Sequence, residues 1–336
     1  MTTTQDIRAG SGTSLSPERL VELYRTVVLA RLVDERGVIL QRQGRLHFIV
    51  STQGHEAAQV GLAAAMQVGT DYLLGYYRSA PLVLALGMSP EAVLLNLFGR
   101  SADPGGGGSN VPGQFADVER RIIATSNVIA TQLLHAVGVA LALKARGQAA
   151  VAVSCFGEGA TSAGAFHEAL NWAGTHRLPV VFVCENNGYA VSVPQHLQMP
   201  IADVAARASG YGMPGVVVDG TDLLAVHQAA GAAIERARRG DGPSLLEAKV
   251  ERLLAHSSAD DDARYRPPDE VERARQQRDP VTRFRQQLFE LGVLTAKTDT
   301  QIWEELRAEV ERAAASAESA IDDGPEQSLR HVYAEA

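Results

Sequence analysis

Two short runs constrain this chain more than anything else in it. Residues 149–156 (AAVAVSCF) and 179–184 (PVVFVC) are almost unbroken apolar stretches. A strand with one wet face alternates apolar and polar, so an unbroken run marks a strand covered on both faces, as in a parallel sheet between helical layers. Neither run ends in core-like residues. Gly157-Glu158-Gly159 follows the first, and Asn186-Asn187-Gly188-Tyr189 follows soon after the second.

The surrounding pattern supports a parallel sheet. Residues 131–146 predict a helix closed by Gly147, 162–174 another, and 223–239 a third, with further strands at 215–218 and 244–250. This βαβ rhythm predicts an α/β fold, a parallel β-sheet with helices on both faces. Upstream, Ser16-Pro17-Glu18 opens a helix with Ser as N-cap and Pro in the first turn. Leu20, Leu23, Tyr24, Val27 and Val28 continue it as an amphipathic stripe that fades near Gly44. A short helix over 53–65 and one opening at Ser89-Pro90-Glu91 come next. Residues 101–115, with four consecutive glycines from Gly105 to Gly108, read as a mobile loop. A charged helical tail runs over 281–320, with turns at Gly292 and Gly324. The 336 residues leave room for about two domains of ~150 residues. The continuous rhythm instead predicts one α/β domain over 15–336, helical at its N-terminal region and at about 281–330.

Composition excludes several function classes. The net charge is −8, with no basic stripe of the kind that marks a nucleic-acid binder. No segment reaches the ~18 apolar residues of a membrane span. Cys155 and Cys184 lie inside apolar runs without a CxxC, against a disulfide framework or zinc site and in favour of a reducing, cytoplasmic setting. Residues 1–14 are polar and lack an apolar signal core, so a disordered arm is expected.

The chemistry is expected where the two runs end, because ligands of open α/β sheets bind beyond the carboxyl ends of the strands. Gly157-Glu158-Gly159-Ala160 lacks the third glycine of a dinucleotide fingerprint and carries an acid that would repel a bare diphosphate. A hard divalent cation between acid and phosphate resolves this conflict, since Mg²⁺ takes a carboxylate or two plus phosphate oxygens. Between Gly159 and Asn186 lie 26 residues, enough for one helix and one strand of a crossover. Adjacent parallel strands would then deliver both clusters to one edge.

Glycine–acid–glycine followed at this spacing by Asn-Asn resembles the thiamine diphosphate motif. The segment GEGATSAGAFHEALNWAGTHRLPVVFVCENNGYAVSVP further resembles the α subunit of the decarboxylating component of 2-oxo acid dehydrogenase complexes, most of all the branched-chain (2-oxoisovalerate) type. The resemblance runs from about residue 15 to the C-terminal helices. It implies that Glu158, Asn187 and the Tyr189 carbonyl bind Mg²⁺, and that Gly157, Gly159 and Ala160 hold the diphosphate. In Gly75-Tyr76-Tyr77-Arg78 it implies cofactor contacts from Tyr77 and a phosphate grip from Arg78, whose planar fork of donors suits phosphate oxygens. In the segment from Ser126 to Gln132 it implies Asn127 and Ile129 on the cofactor, and Ser126, Thr131 and Gln132 as ligands of a structural K⁺. For Thr131, ordinary capping of a helix N-terminus is the preferred reading.

By the same resemblance, His256 reaches the diphosphate and the reacting centre as a catalytic group, and Ser257 matches a position phosphorylated in mitochondrial relatives. Histidine suits proton delivery near neutral pH. Phe48 and Tyr77 are implied as walls of the substrate pocket. The carboxylate that activates thiamine diphosphate lies on a β subunit in this family. The expected assembly is therefore an α2β2 heterotetramer that passes an acyl group from a 2-oxo acid to a lipoyl acyltransferase. Gly107, Ser109 and Gln114 depart from the Lys or Arg and the His that relatives often carry in the glycine loop. Pyruvate and acetoin dehydrogenase α subunits share the cofactor motif and are the alternative. A nicotinamide dehydrogenase and a non-catalytic assembly subunit are readings from other classes.

Overall fold

The computed structural model describes residues 15–322 together with 324 and 326; the predicted arm at 1–14 lies outside the described residues. Helix α1 (Pro17–Arg42) starts as its cap residues dictate, the Ser16 side chain accepting from the Arg19 N–H. It is followed by α2 (Glu56–Ala65), β1 (Tyr72–Leu74), α3 (Ala80–Ala85), α4 (Pro90–Phe98) and α5 (Thr131–Ala145). The central alternation is β2 (Ala152–Gly157), α6 (Gly164–Thr175) and β3 (Val180–Asn186). A small hairpin of β4 (Tyr189–Ala190) and β5 (Val193–Pro194) runs into the one-turn helix α7 (Gln195–Gln198). Then come β6 (Gly215–Asp219), α8 (Leu223–Arg238) and β7 (Ser244–Lys249), before α9 (Pro268–Arg278), α10 (Pro280–Glu290) and α11 (Ala296–Ser319).

Five strands form one parallel sheet in the order β1-β2-β3-β7-β6. Successive side chains of a strand point to opposite faces, and the two expected runs divide accordingly. Val151, Val153, Cys155, Val181 and Val183 pack into the larger core with α1, α2 and α8. Ala152, Phe156, Val180, Phe182 and Cys184 pack into a second core with Leu133 of α5 and Phe166 and Leu170 of α6. Both faces are covered, which is why neither run could alternate. Three residues of β1 and the polar helix α9, in which only Ala274 is buried, had no periodic signal to announce them.

Composition suggested a mobile glycine loop; the structure shows a packed one. The buried Asn96 amide donates to Asp103 Oδ2 and to the Gln114 carbonyl, each at 3.0 Å, and Asn96 Oδ1 accepts from the Gly113 N–H at 2.8 Å. Gly113 has φ +94°, and a Cβ there would fall 2.6 Å from the Tyr77 carbonyl oxygen. Glycine here therefore permits close backbone approach.

The tail belongs to the core. Ile302, Leu306, Val310, Ala314 and Ala317 of α11 are buried in the larger cluster. At its start, Tyr24 OH donates to Asp299 Oδ1 at 2.6 Å and accepts from Trp303 Nε1 at 3.0 Å. Arg285 Nε donates to the other oxygen of Asp299 at 2.8 Å. Tyr24→Phe leaves the Trp303 N–H without this acceptor, so urea unfolding should show a loss of about 1–3 kcal/mol. An unchanged midpoint would show that this clasp contributes nothing.

Candidate active site

The sheet register builds the site. β2 and β3 pair from Ala152↔Val180 to Gly157↔Glu185, so the turn at Glu158 and the turn at Asn187 leave the sheet side by side. β1, on the other side of β2, ends at Leu74 and feeds Gly75-Tyr76-Tyr77-Arg78 to the same edge. β7, beyond β3, feeds the segment from Arg252 to His256. Four neighbouring strands thus empty onto one cavity of about 290 Å³.

Nearly all the expected residues line it: Tyr77, Arg78, Ser126, Asn127, Ile129, Gln132, Gly157, Glu158, Gly159, Ala160, Asn187, Tyr189 and His256. Two do not. Thr131 turns its hydroxyl onto the Val128 carbonyl at 2.8 Å, in the turn that leads into α5. Phe48 is half-buried and stands outside the lining. Tyr76, Phe156, Ala190 and Val191 also line the cavity and were not anticipated. Val191 has φ +57°, uncommon for a β-branched residue, and its carbonyl accepts from Arg252 Nη1 at 2.9 Å.

Glu158 is the electrostatic centre of the edge. Only 1% of it is exposed. Its Oε2 accepts from the Asn187 N–H at 3.3 Å, while its buried Oε1 has no hydrogen-bond partner. Burial pushes the carboxyl above the usual carboxylate range, against hydrogen bonds from its own N–H and that of Asn187. A buried carboxylate with a vacant oxygen is a donor set that suits a hard cation. Among the described residues no three His, Cys, Asp or Glu side chains gather to hold a metal. A cation here would take one carboxylate and otherwise neutral or phosphate oxygens. Asn187 Oδ1 lies in its own turn, accepting from the Tyr189 N–H at 3.2 Å.

Arg78 and Arg252 are buried beside this acid. Arg78 donates to the carbonyls of Ser51 and His256 and stands 5.7 Å from the Tyr77 ring centroid. Beneath it, Gln59 Nε2 bridges the Arg78 carbonyl and Glu185 Oε2, both at 2.8 Å. Glu185 Oε2 also lies 2.7 Å from His55 Nδ1 and accepts from Tyr76 OH at 3.1 Å. His55 is buried in this network. Gln114 donates to Asn127 Oδ1 and accepts from Thr125 Oγ1 at 2.7 Å, tying the glycine loop to the cavity wall.

His256 meets Tyr77 edge-on, with ring centroids 5.8 Å apart. Its backbone N–H donates to Asp260 Oδ2 at 2.8 Å. Burial, together with the positive charges of Arg78 and Arg252, lowers its imidazole to about 4. The ring is therefore neutral at pH 7.

Comparison with known proteins places this geometry in a family. A family model described as "Dehydrogenase E1 component" matches residues 24–326. The chain belongs to the dehydrogenase E1 component family. This E1 chain is 45% identical over 320 residues to the 2-oxoisovalerate dehydrogenase subunit alpha of Bacillus subtilis, covering 95% of this chain and 97% of that protein. It is 38% identical over 320 residues to the 3-methyl-2-oxobutanoate dehydrogenase subunit alpha of Mycobacterium tuberculosis, covering 95% and 83%. The pyruvate dehydrogenase E1 component subunit alpha of Staphylococcus aureus is 36% identical over 306 residues, covering 91% and 80%.

The depressed His256 value yields a prediction. Protonation of His256 is opposed in the folded E1 chain, so its contribution to stability is complete above the unfolded value of about 6.5 and is lost as pH falls toward 4. In histidine-labelled protein without cofactor, the His256 resonance should titrate with a midpoint near 4 and be absent from His256→Gln. A midpoint near 6.5 would contradict the burial argument.

Proposed function

We propose that the chain is the α subunit of a branched-chain 2-oxo acid dehydrogenase, acting with a β subunit on acids of the 2-oxoisovalerate type. E1 membership implies an oxidoreductase system that uses thiamine diphosphate. The names of the Bacillus and Mycobacterium relatives support the substrate class. The observation that carries the cofactor assignment is the unpartnered, buried Glu158 Oε1 at the edge where two adjacent strands end.

In this reading Glu158, Asn187 and the Tyr189 carbonyl hold Mg²⁺. The N–H groups of Gly159 and Ala160, at the start of a 3₁₀ turn (Glu158–Ser162), hold the diphosphate. Arg78 adds charge-assisted donors from the β1 side. Ser126 and Gln132, which line the same cavity, are assigned to K⁺, Gln132 Oε1 being buried without a partner. Tyr77 and His256 form the wall on which the substrate is expected. Neutral His256 can accept a proton there, and its low affinity for that proton favours passing it on. Phe48 is kept as a substrate-pocket wall on the family resemblance alone. When bound, thiamine diphosphate supplies the electron sink for decarboxylation.

The cavity is half of a site. Ile129 and Val191 stand exposed in its lining, with exposed Val128 next to Ile129 in the chain, as expected of a surface that another chain covers. We assign that cover to the β subunit, which in this reading brings the carboxylate that activates the cofactor, in an α2β2 assembly that delivers the acyl group to a lipoyl acyltransferase. Among the described residues no helix is long and apolar enough to cross a membrane; a cytoplasmic location is part of the proposal, as is a single domain over residues 15–336.

Co-expression with the β subunit, followed by assay with Mg²⁺, thiamine diphosphate and a panel of 2-oxo acids, tests this. Branched-chain acids should give the highest kcat/KM; preference for pyruvate would move the assignment to the pyruvate type, and no turnover of any 2-oxo acid would overturn it. Glu158→Ala should abolish Mg²⁺-dependent cofactor binding measured by calorimetry. Unchanged binding would remove Glu158 as a metal ligand.

A further inference from the structure

The one-turn helix α7 stands behind the two turns that carry the proposed metal ligands, and its sequence Gln195-His196-Leu197-Gln198 places two glutamines three residues apart. Residues at that spacing share a helix face. Each glutamine reaches a different turn. Gln198 Nε2 lies 3.0 Å from the Glu158 carbonyl, 3.3 Å from the Gly159 carbonyl and 3.0 Å from Ser162 Oγ. Gln195 Oε1 accepts from Asn186 Nδ2 at 2.9 Å, and the Gln195 N–H donates to the Gly188 carbonyl at 2.8 Å. Met199, immediately after the helix, is buried in the second core and anchors it.

We infer that α7 is a brace that sets the separation of Glu158 from Asn187 and Tyr189, with Gln198 and Gln195 as positioning residues. The inference rests on the Mg²⁺ reading proposed above. Its physical basis is polarity. In the 158–162 turn, carbonyl oxygens gathered on one side leave the opposite side to the N–H groups of Gly159 and Ala160. An amide donor behind those carbonyls compensates their crowding and holds the turn in that orientation. Gln198 carries a cost for this, since its Oε1 is buried without a partner. The Glu158 carboxylate holds the spacing weakly, because among the described residues its hydrogen bond to the other turn is the long one of 3.3 Å from the Asn187 N–H. Cation sites depend on such supporting groups, whose loss typically costs about 10–100-fold in metal affinity.

The test uses the full chain co-expressed with its β subunit and follows thiamine diphosphate binding by calorimetry as Mg²⁺ is titrated. Gln198→Met keeps the side-chain length and removes the donor; Gln198→Ala removes both. Both variants should raise the Mg²⁺ concentration for half-saturation about tenfold or more, while β-subunit association and the melting temperature of the cofactor-free protein stay near wild type. Gln195→Met should shift it in the same direction, and the double Met variant by less than the product of the singles, because both act on one separation. A Gln198→Met protein with wild-type Mg²⁺ dependence would reduce Gln198 to a space-filling role and overturn the inference. Wild-type protein that binds the cofactor without Mg²⁺ would overturn the metal reading as well, which separates the two failures.

Discussion

The parallel pairing of β2 with β3 is the constraint on which the rest depends. Its register ends with Gly157 opposite Glu185, so the residues just beyond each strand meet whatever their separation in the chain. A slip of one residue would exchange the faces of every side chain in the run, moving Phe156 and Cys184 out of one core and Cys155 and Val183 out of the other. Covering both faces therefore fixes the site to the precision of core packing. The flanking strands obey the same rule, β1 delivering Arg78 and β7 leading to His256.

Charge at this edge is balanced by components that are each unfavourable alone. Glu158 is buried with one oxygen unsatisfied, Arg78 and Arg252 are buried with it, and His256 is held neutral by its burial together with the two arginines. The arginines attract an anion and the acid attracts a cation, so a metal–diphosphate pair answers both demands where either ion alone would answer one. Beneath the cavity the carboxylate of Glu185 gathers His55, Gln59 and Tyr76, and this buried layer holds the Tyr77-Arg78 turn from behind.

Much of this was legible in the sequence because strand burial and turn chemistry are local signals. The runs before Glu158 and Asn187, the helix starts at Ser16 and Ser89, and the order of the crossovers all follow from neighbours in the chain. The cavity wall was read residue by residue through family resemblance rather than from spacing. What stayed hidden was set by distant contacts. Asn96 packs a glycine loop that composition alone marked as mobile, and Gln114 fastens that loop to Asn127. Phe48 stands outside the cavity lining. Gln198 gave no signal, since a glutamine in a four-residue helix acquires meaning only when the Glu158 turn is seen against it.

The central claim is that Glu158, Asn187 and Tyr189 hold the cation on which the cofactor sits. It is tested most directly by a crystal structure of this chain with its β subunit, thiamine diphosphate and Mn²⁺ in place of Mg²⁺, using anomalous scattering to locate the metal. The account predicts one anomalous peak about 2.0–2.3 Å from a Glu158 carboxylate oxygen, Asn187 Oδ1 and the Tyr189 carbonyl oxygen. A peak elsewhere, or cofactor bound in the cavity with no metal beside Glu158, would contradict it.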